Sequence, residues 1–177
     1  MGKIININFS VELCMNKIKQ KIYLFTDGSV NPQSGVGFGA YLFLEKMDIF
    51  SPELEKQIKI KKFENTSSTK LELETLLWAL HEVSLENFKI VVYTDCQNII
   101  GLPDRRDGFE RKNYMTSKGK QIKNHEMYKA FYKRLDISDC EFIKVKGHKK
   151  TSVKNDIDEI FTLVDKATRK ALRQTIL

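Results

Sequence analysis

The sequence predicts an α/β fold, a mixed sheet flanked by helices. The first observation is the order of segments, β-β-β-α-β-α-β-α. Three early strands with close connections read as an antiparallel meander, and later strands separated by helices read as βα units. The second is the run Phe88 to Tyr93, continuous and β-branched, as a central strand buried on both faces requires. The third is a long amphipathic helix that closes the chain over about residues 156 to 173.

Each element has its own signal. Ile4 to Leu13 reads as a strand and the polar stretch to Gln20 as a linker. Lys21 to Phe25 is a short strand ending at Thr26-Asp27-Gly28-Ser29, and the Gly, Asn and Pro of residues 28 to 37 predict a turn region. Gly37 to Leu44 is a second strand, and Ile58 to Lys61 alternates as a half-buried third. A helix is expected from Lys70 to Ser84, a charge-rich segment from Asp104 to Asn124, a helix from His125 to Leu135, and a fifth strand from Cys140 to Val145. A chain of 177 residues suits one domain, placed at 21–177, with residues 1–20 as an N-terminal extension of unknown role.

Composition narrows the function. Apolar residues make up 41%, enough for a core, yet no run approaches the 18 or so needed to span a membrane. No signal peptide is visible. Cys14, Cys96 and Cys140 are scattered, so neither a disulfide framework nor a zinc cluster is expected, and a reducing, cytoplasmic setting fits. Thirty Lys and Arg against 23 Asp and Glu give a net charge of +7. That balance favours an anionic partner, nucleic acid foremost.

Four carboxylates stand at the ends of elements. Asp27 and Asp95 each follow an apolar strand, where α/β sheets open their ligand crevice; the alternative is that each begins a turn. At about 100° per residue, Glu72 falls inside the apolar arc of its helix, whereas Glu74 points away as ordinary surface. Thr69-x-x-Glu72 also fits a capping box. Asp165 sits at the edge of the last helix's apolar arc, with Lys166 and Arg169 as alternative partners. An all-oxygen cluster suits Mg²⁺ or Mn²⁺, and on a basic protein it points to phosphodiester chemistry with two metals.

In order, Thr26-Asp27-Gly28-Ser29, Leu71-Glu72-Leu73, Tyr93-Thr94-Asp95-Cys96-Gln97, Val145-Lys146-Gly147-His148 and Asp165 resemble type 1 ribonuclease H across about residues 21 to 175. The resemblance implies a five-stranded mixed sheet in the order 3-2-1-4-5. It implies that Asp27, Glu72, Asp95 and Asp165 bind two Mg²⁺ ions with substrate, Mn²⁺ substituting, and that His148 assists proton transfer or product release. The stretch between His148 and Asp165 is longer than in many members, which makes Asp156 and Asp158 competitors. The Val-Asp-Lys-Ala setting of Asp165 matches the family better.

The same resemblance implies substrate contacts. Ser67 and Asn124 match a DNA-phosphate pocket, Asn31 lies near the RNA strand, and Ser68 and Thr69 stand where amides often read the minor groove. Gly28 and Ser29 are placed to sense the 2′-OH. Residues 104 to 124, with Arg105, Arg106, Arg111 and Lys112, resemble a basic arm on the DNA strand. Tyr114 falls near a position that often holds tryptophan. The expected activity is endonucleolytic cleavage of RNA in an RNA–DNA hybrid, giving 5′-phosphate products, by a monomer with no membrane partner. A non-cleaving hybrid-binding module and another nuclease of the same fold are the alternatives. A proofreading exonuclease would place a second acid where Ser29 stands.

Overall fold

The computed structural model describes residues 19–82, 88–146 and 155–175. Along the chain lie β1 (Gln20–Asn31), β2 (Val36–Leu44), β3 (Lys59–Phe63), α1 (Ser68–Glu82), β4 (Phe88–Thr94), α2 (Gln97–Ile100), α3 (Arg106–Arg111), α4 (His125–Asp136), β5 (Asp139–Lys144) and α5 (Asp156–Thr175). The strands form one sheet in the order β3-β2-β1-β4-β5. β1, β2 and β3 pair antiparallel, and β4 and β5 continue the sheet in parallel with β1. The expected strand at Ile4 to Leu13 lies outside the described residues.

Successive side chains of a strand point to opposite faces, so each central strand feeds two cores. Leu24, Ile90 and Val92 pack with Leu73, Leu76 and Leu80 of α1 and with Phe131 and Tyr132 of α4. Phe25, Val91 and Tyr93 pack on the other face with Ile160, Phe161 and Val164 of α5. Each such fully buried side chain contributes roughly 1.5–3 kcal/mol of transfer free energy. The run of β-branched residues in β4 is therefore explained by burial on both sides.

Two expectations need correction. The first strand does not stop before Thr26. Its parallel pairing with β4 ends at Phe25↔Tyr93, but antiparallel pairing with β2 continues from Thr26↔Tyr41 to Asn31↔Val36. The turn is confined to the next few residues, where Gly35 adopts φ +67° and its N–H donates to Asn31 O at 2.9 Å. The third strand is not half-buried. It is the edge strand, with Ile60 46% exposed over an open groove along α5. Alternation alone does not reveal which strand lies outermost.

Candidate active site

The register of the two central strands builds the site. Beyond the last pair, Phe25 and Tyr93, β1 and β4 separate. Asp27 and Asp95 each lie two residues past that pair, so strand periodicity brings both carboxylates to the same split between parallel strands. Glu72 reaches the split from α1. One carboxylate oxygen from each of Asp27, Glu72 and Asp95 lies within 4.8 Å of the others.

Glu72 arrives there because α1 lies unusually close to the sheet. Gly28 and Gly39 face each other across β1 and β2. A Cβ at Gly39 would sit 1.9 Å from Thr75 Oγ1, and one at Gly28 would sit 2.9 Å from Leu71 Cγ and 3.3 Å from Glu72 Oε1. Any larger residue would push the helix out. The Gly28 N–H donates to the Glu72 carboxylate. The capping-box alternative for Glu72 is not realised: Thr69 is already helical, and Leu71 N–H donates to Ser67 O at 2.7 Å. Glu74 is less of a surface residue than expected. It accepts from Thr66 Oγ1 at 2.7 Å and pairs with Lys70 at 3.3 Å, which anchors the helix start.

Burial and mutual repulsion make the group electrostatically expensive. Burial above all, with Asp165 and Asp95 adding to it and the Thr168 hydroxyl and Arg169 opposing, raises the Asp27 pKa from 3.8 to about 7. Glu72 is raised well above its ordinary value, chiefly by burial and then by Asp27 and Asp95. Glu72 Oε2 is buried without a hydrogen-bond partner. An orphaned buried acceptor costs about 1–3 kcal/mol and more when charged. A cation between these oxygens would satisfy it and relieve the repulsion, so the residues fit a divalent ion with oxygen ligands.

The fourth expected carboxylate, Asp165, lies outside the tight group but close enough for its charge to act on Asp27. It is partly buried on α5 and accepts from Arg169 Nε at 2.5 Å. Its competitors stand elsewhere. Asp158 closes a reciprocal cap with Asn155: Asn155 N–H donates to Asp158 Oδ2 at 3.1 Å, and Asp158 N–H donates to Asn155 Oδ1 at 2.9 Å. Asp156 is exposed in the first turn of α5. His148 lies outside the described residues.

The expected substrate residues separate into two groups. Ser67, Ser68 and Thr69 sit at the start of α1 beside Glu72, with Ser68 and Thr69 exposed. Asn31 Oδ1 accepts from the Gln33 and Ser34 N–H groups at 2.9 and 3.4 Å, shaping the β1–β2 turn. Asn124 precedes α4 at φ +63° with no side-chain capping bond. In the arm, Arg111 and Lys112 are exposed. Arg105 instead turns inward, donating to Gly101 O at 2.9 Å and to Asn98 O and Oδ1 at 2.5 and 2.7 Å. Arg106 is held by Glu110 and Asp136. Tyr114 is buried at φ +56°, beside Phe109 and under Lys129. The residue that sequence reasoning missed is Thr168, three positions after Asp165 on the same helix. Its signal was faint: a polar, β-branched residue set within the apolar arc of α5. Arg169, one of the two partners the sequence offered for Asp165, is the one that pairs with it.

An acidic site at the split of a five-stranded mixed sheet defines a class that the comparisons then specify. A family profile described as RNase H matches residues 19–172. A ribonuclease H of Caldicellulosiruptor saccharolyticus is 26% identical over 143 residues, covering 80% of this chain and 93% of its own. A ribonuclease H of Hahella chejuensis is 28% identical over 159 residues, covering 87% and 97%. The solved PFV RNase H domain aligns with a TM-score of 0.66 at 18% identity, over 86% of this chain and 94% of that one, a likeness of fold. The chain belongs to the RNase H family and is an enzyme of that family.

Proposed function

We propose that the protein hydrolyses the RNA strand of RNA–DNA hybrids, with Mg²⁺ held by Asp27, Glu72 and Asp95 and supported by Asp165. The observation that carries this reading is the carboxylate cluster within 4.8 Å, Asp27 and Glu72 buried and Asp95 half-buried, with Glu72 Oε2 unpartnered. A pair of divalent ions would supply water activation and stabilisation of the leaving 3′ oxygen, Mn²⁺ serving in place of Mg²⁺. The chain's own residues do the rest. Asp27 and Asp95 present charge at the split, and Gly28 holds Glu72 in line. Backbone groups at Gly28 and Ser29, with the Asn31 amide, face the minor groove and select a 2′-OH. Ser67 and Asn124 take the DNA phosphate, and Arg111 and Lys112 extend the grip along that strand. His148 serves proton transfer or product release.

The test is incubation with Mg²⁺ and labelled RNA–DNA, RNA–RNA and DNA–DNA duplexes. Cleavage confined to RNA in the hybrid, ending in 5′-phosphates and abolished by EDTA, is expected. Binding of hybrid without cleavage, or equal cutting of all three duplexes, would overturn it.

A further inference from the structure

Thr168 is fully buried on α5, and its hydroxyl lies within hydrogen-bond distance of three oxygens. Asp27 Oδ2 lies at 2.8 Å, Asp165 O at 2.9 Å and Ser29 Oγ at 3.2 Å. A threonine hydroxyl has a single proton to donate. Charge-assisted bonds are roughly twice as strong as neutral ones, so an ionised Asp27 takes that proton. Ser29 then acts as donor to Thr168 Oγ1. The result is a directed chain, Ser29 to Thr168 to Asp27, that begins and ends on β1 and passes through α5.

We propose that Thr168 is a positioning residue for the metal site: it fixes the Asp27 carboxylate in the split and ties α5, which carries Asp165, to β1. The proposal rests on the metal-site reading given above. Without the hydroxyl, Asp27 would have to be held by the backbone of a strand whose β4-facing edge is unpaired at that point. A Ser can replace Thr in this role, because the hydroxyl does the work. A Val cannot, although it has nearly the same shape.

Mg²⁺ binding to the substrate-free protein, followed by titration calorimetry, tests this with wild type, Thr168→Val and Thr168→Ser. Melting in EDTA checks that each variant is folded. Thr168→Val should weaken Mg²⁺ binding about 10- to 100-fold, the usual loss when a group supporting a metal ligand is removed. Thr168→Ser should return to near the wild-type affinity, and the Mg²⁺ half-saturation of hybrid cleavage should follow the same order with KM for hybrid unchanged. Equal Mg²⁺ affinity in wild type and Thr168→Val, or a Thr168→Ser defect as large as that of Val, would overturn the role of Thr168 alone. No Mg²⁺ binding by wild type would overturn the metal site and this proposal with it. Should Thr168→Val fail to fold, Thr168→Ala against Thr168→Ser makes the same comparison.

Discussion

Asp27 carries the strongest consequence at the scale of single residues. Burial and its acidic neighbours raise its pKa from 3.8 to about 7, so folding favours its protonated form. The sign follows from linkage. The stabilising contribution is complete below about pH 4 and is lost as pH rises through about 7. The metal-free protein should therefore melt at progressively lower temperature between pH 4 and pH 8, by calorimetry in EDTA. Asp27→Asn should flatten that fall and raise the melting temperature at pH 8, while abolishing cleavage. A wild-type curve that rises over the same range would contradict the assignment. The pair on α1 gives a second residue-scale contrast. Glu72→Gln should remove activity, whereas Glu74→Gln should keep it and lose about 0.5–1.5 kcal/mol of stability through Thr66 and Lys70. Equal loss of cleavage in both would mean that α1 presents a different face. Asp27, Glu72 and Asp95 were legible in the sequence because strand ends and helix phase are local properties. Thr168 was not, since nothing local to residues 27 and 168 says that they meet.

At the scale of elements, the close approach of α1 to β1 and β2 is what places Glu72. Gly39→Ala puts a methyl group into the space of Thr75 Oγ1. Overpacking of this kind costs about 1–3 kcal/mol, and here it also lifts Glu72 from the site. Urea denaturation should show that loss, cleavage should fall with it, and Thr75→Ala should partly restore both in the double variant. Full additivity of the two changes would contradict direct contact. The arm between α2 and α4 divides in the same way. Arg105→Ala should destabilise by removing the bonds to Gly101 and Asn98, with little effect on the salt dependence of binding. Arg111→Ala with Lys112→Ala should leave stability intact and flatten the salt dependence of hybrid binding, read from affinity at several salt concentrations. The reverse pattern would exchange their roles. Sequence showed that the arm is basic but not which arginines face inward, because that depends on carbonyl groups at the C-terminal end of α2. The extent of β1 escaped for a similar reason: Gly28 and Asn31 read as turn residues until the partner strand β2 is in place.

The whole molecule combines a net charge of +7 with a buried acidic split. The long-range field attracts a polyanion, and the local field repels one unless cations intervene. Binding and cutting should therefore separate: hybrid binding without Mg²⁺ should persist and weaken with salt, and cleavage should demand the ion. The succession of elements and the opening meander were legible from hydrophobic periodicity and chain connectivity, whereas the strand order 3-2-1-4-5 came from the resemblance to type 1 ribonuclease H. The claim on which the rest depends is that the carboxylates at the split perform the reaction. The most direct measurement is the initial rate of hybrid cleavage by Asp95→Asn at saturating Mg²⁺ beside wild type, with both shown to be folded and to bind hybrid. A loss of about 100-fold or more is expected, on the scale of removing a charge-stabilising group from a reaction centre. A rate within a few-fold of wild type would contradict the account.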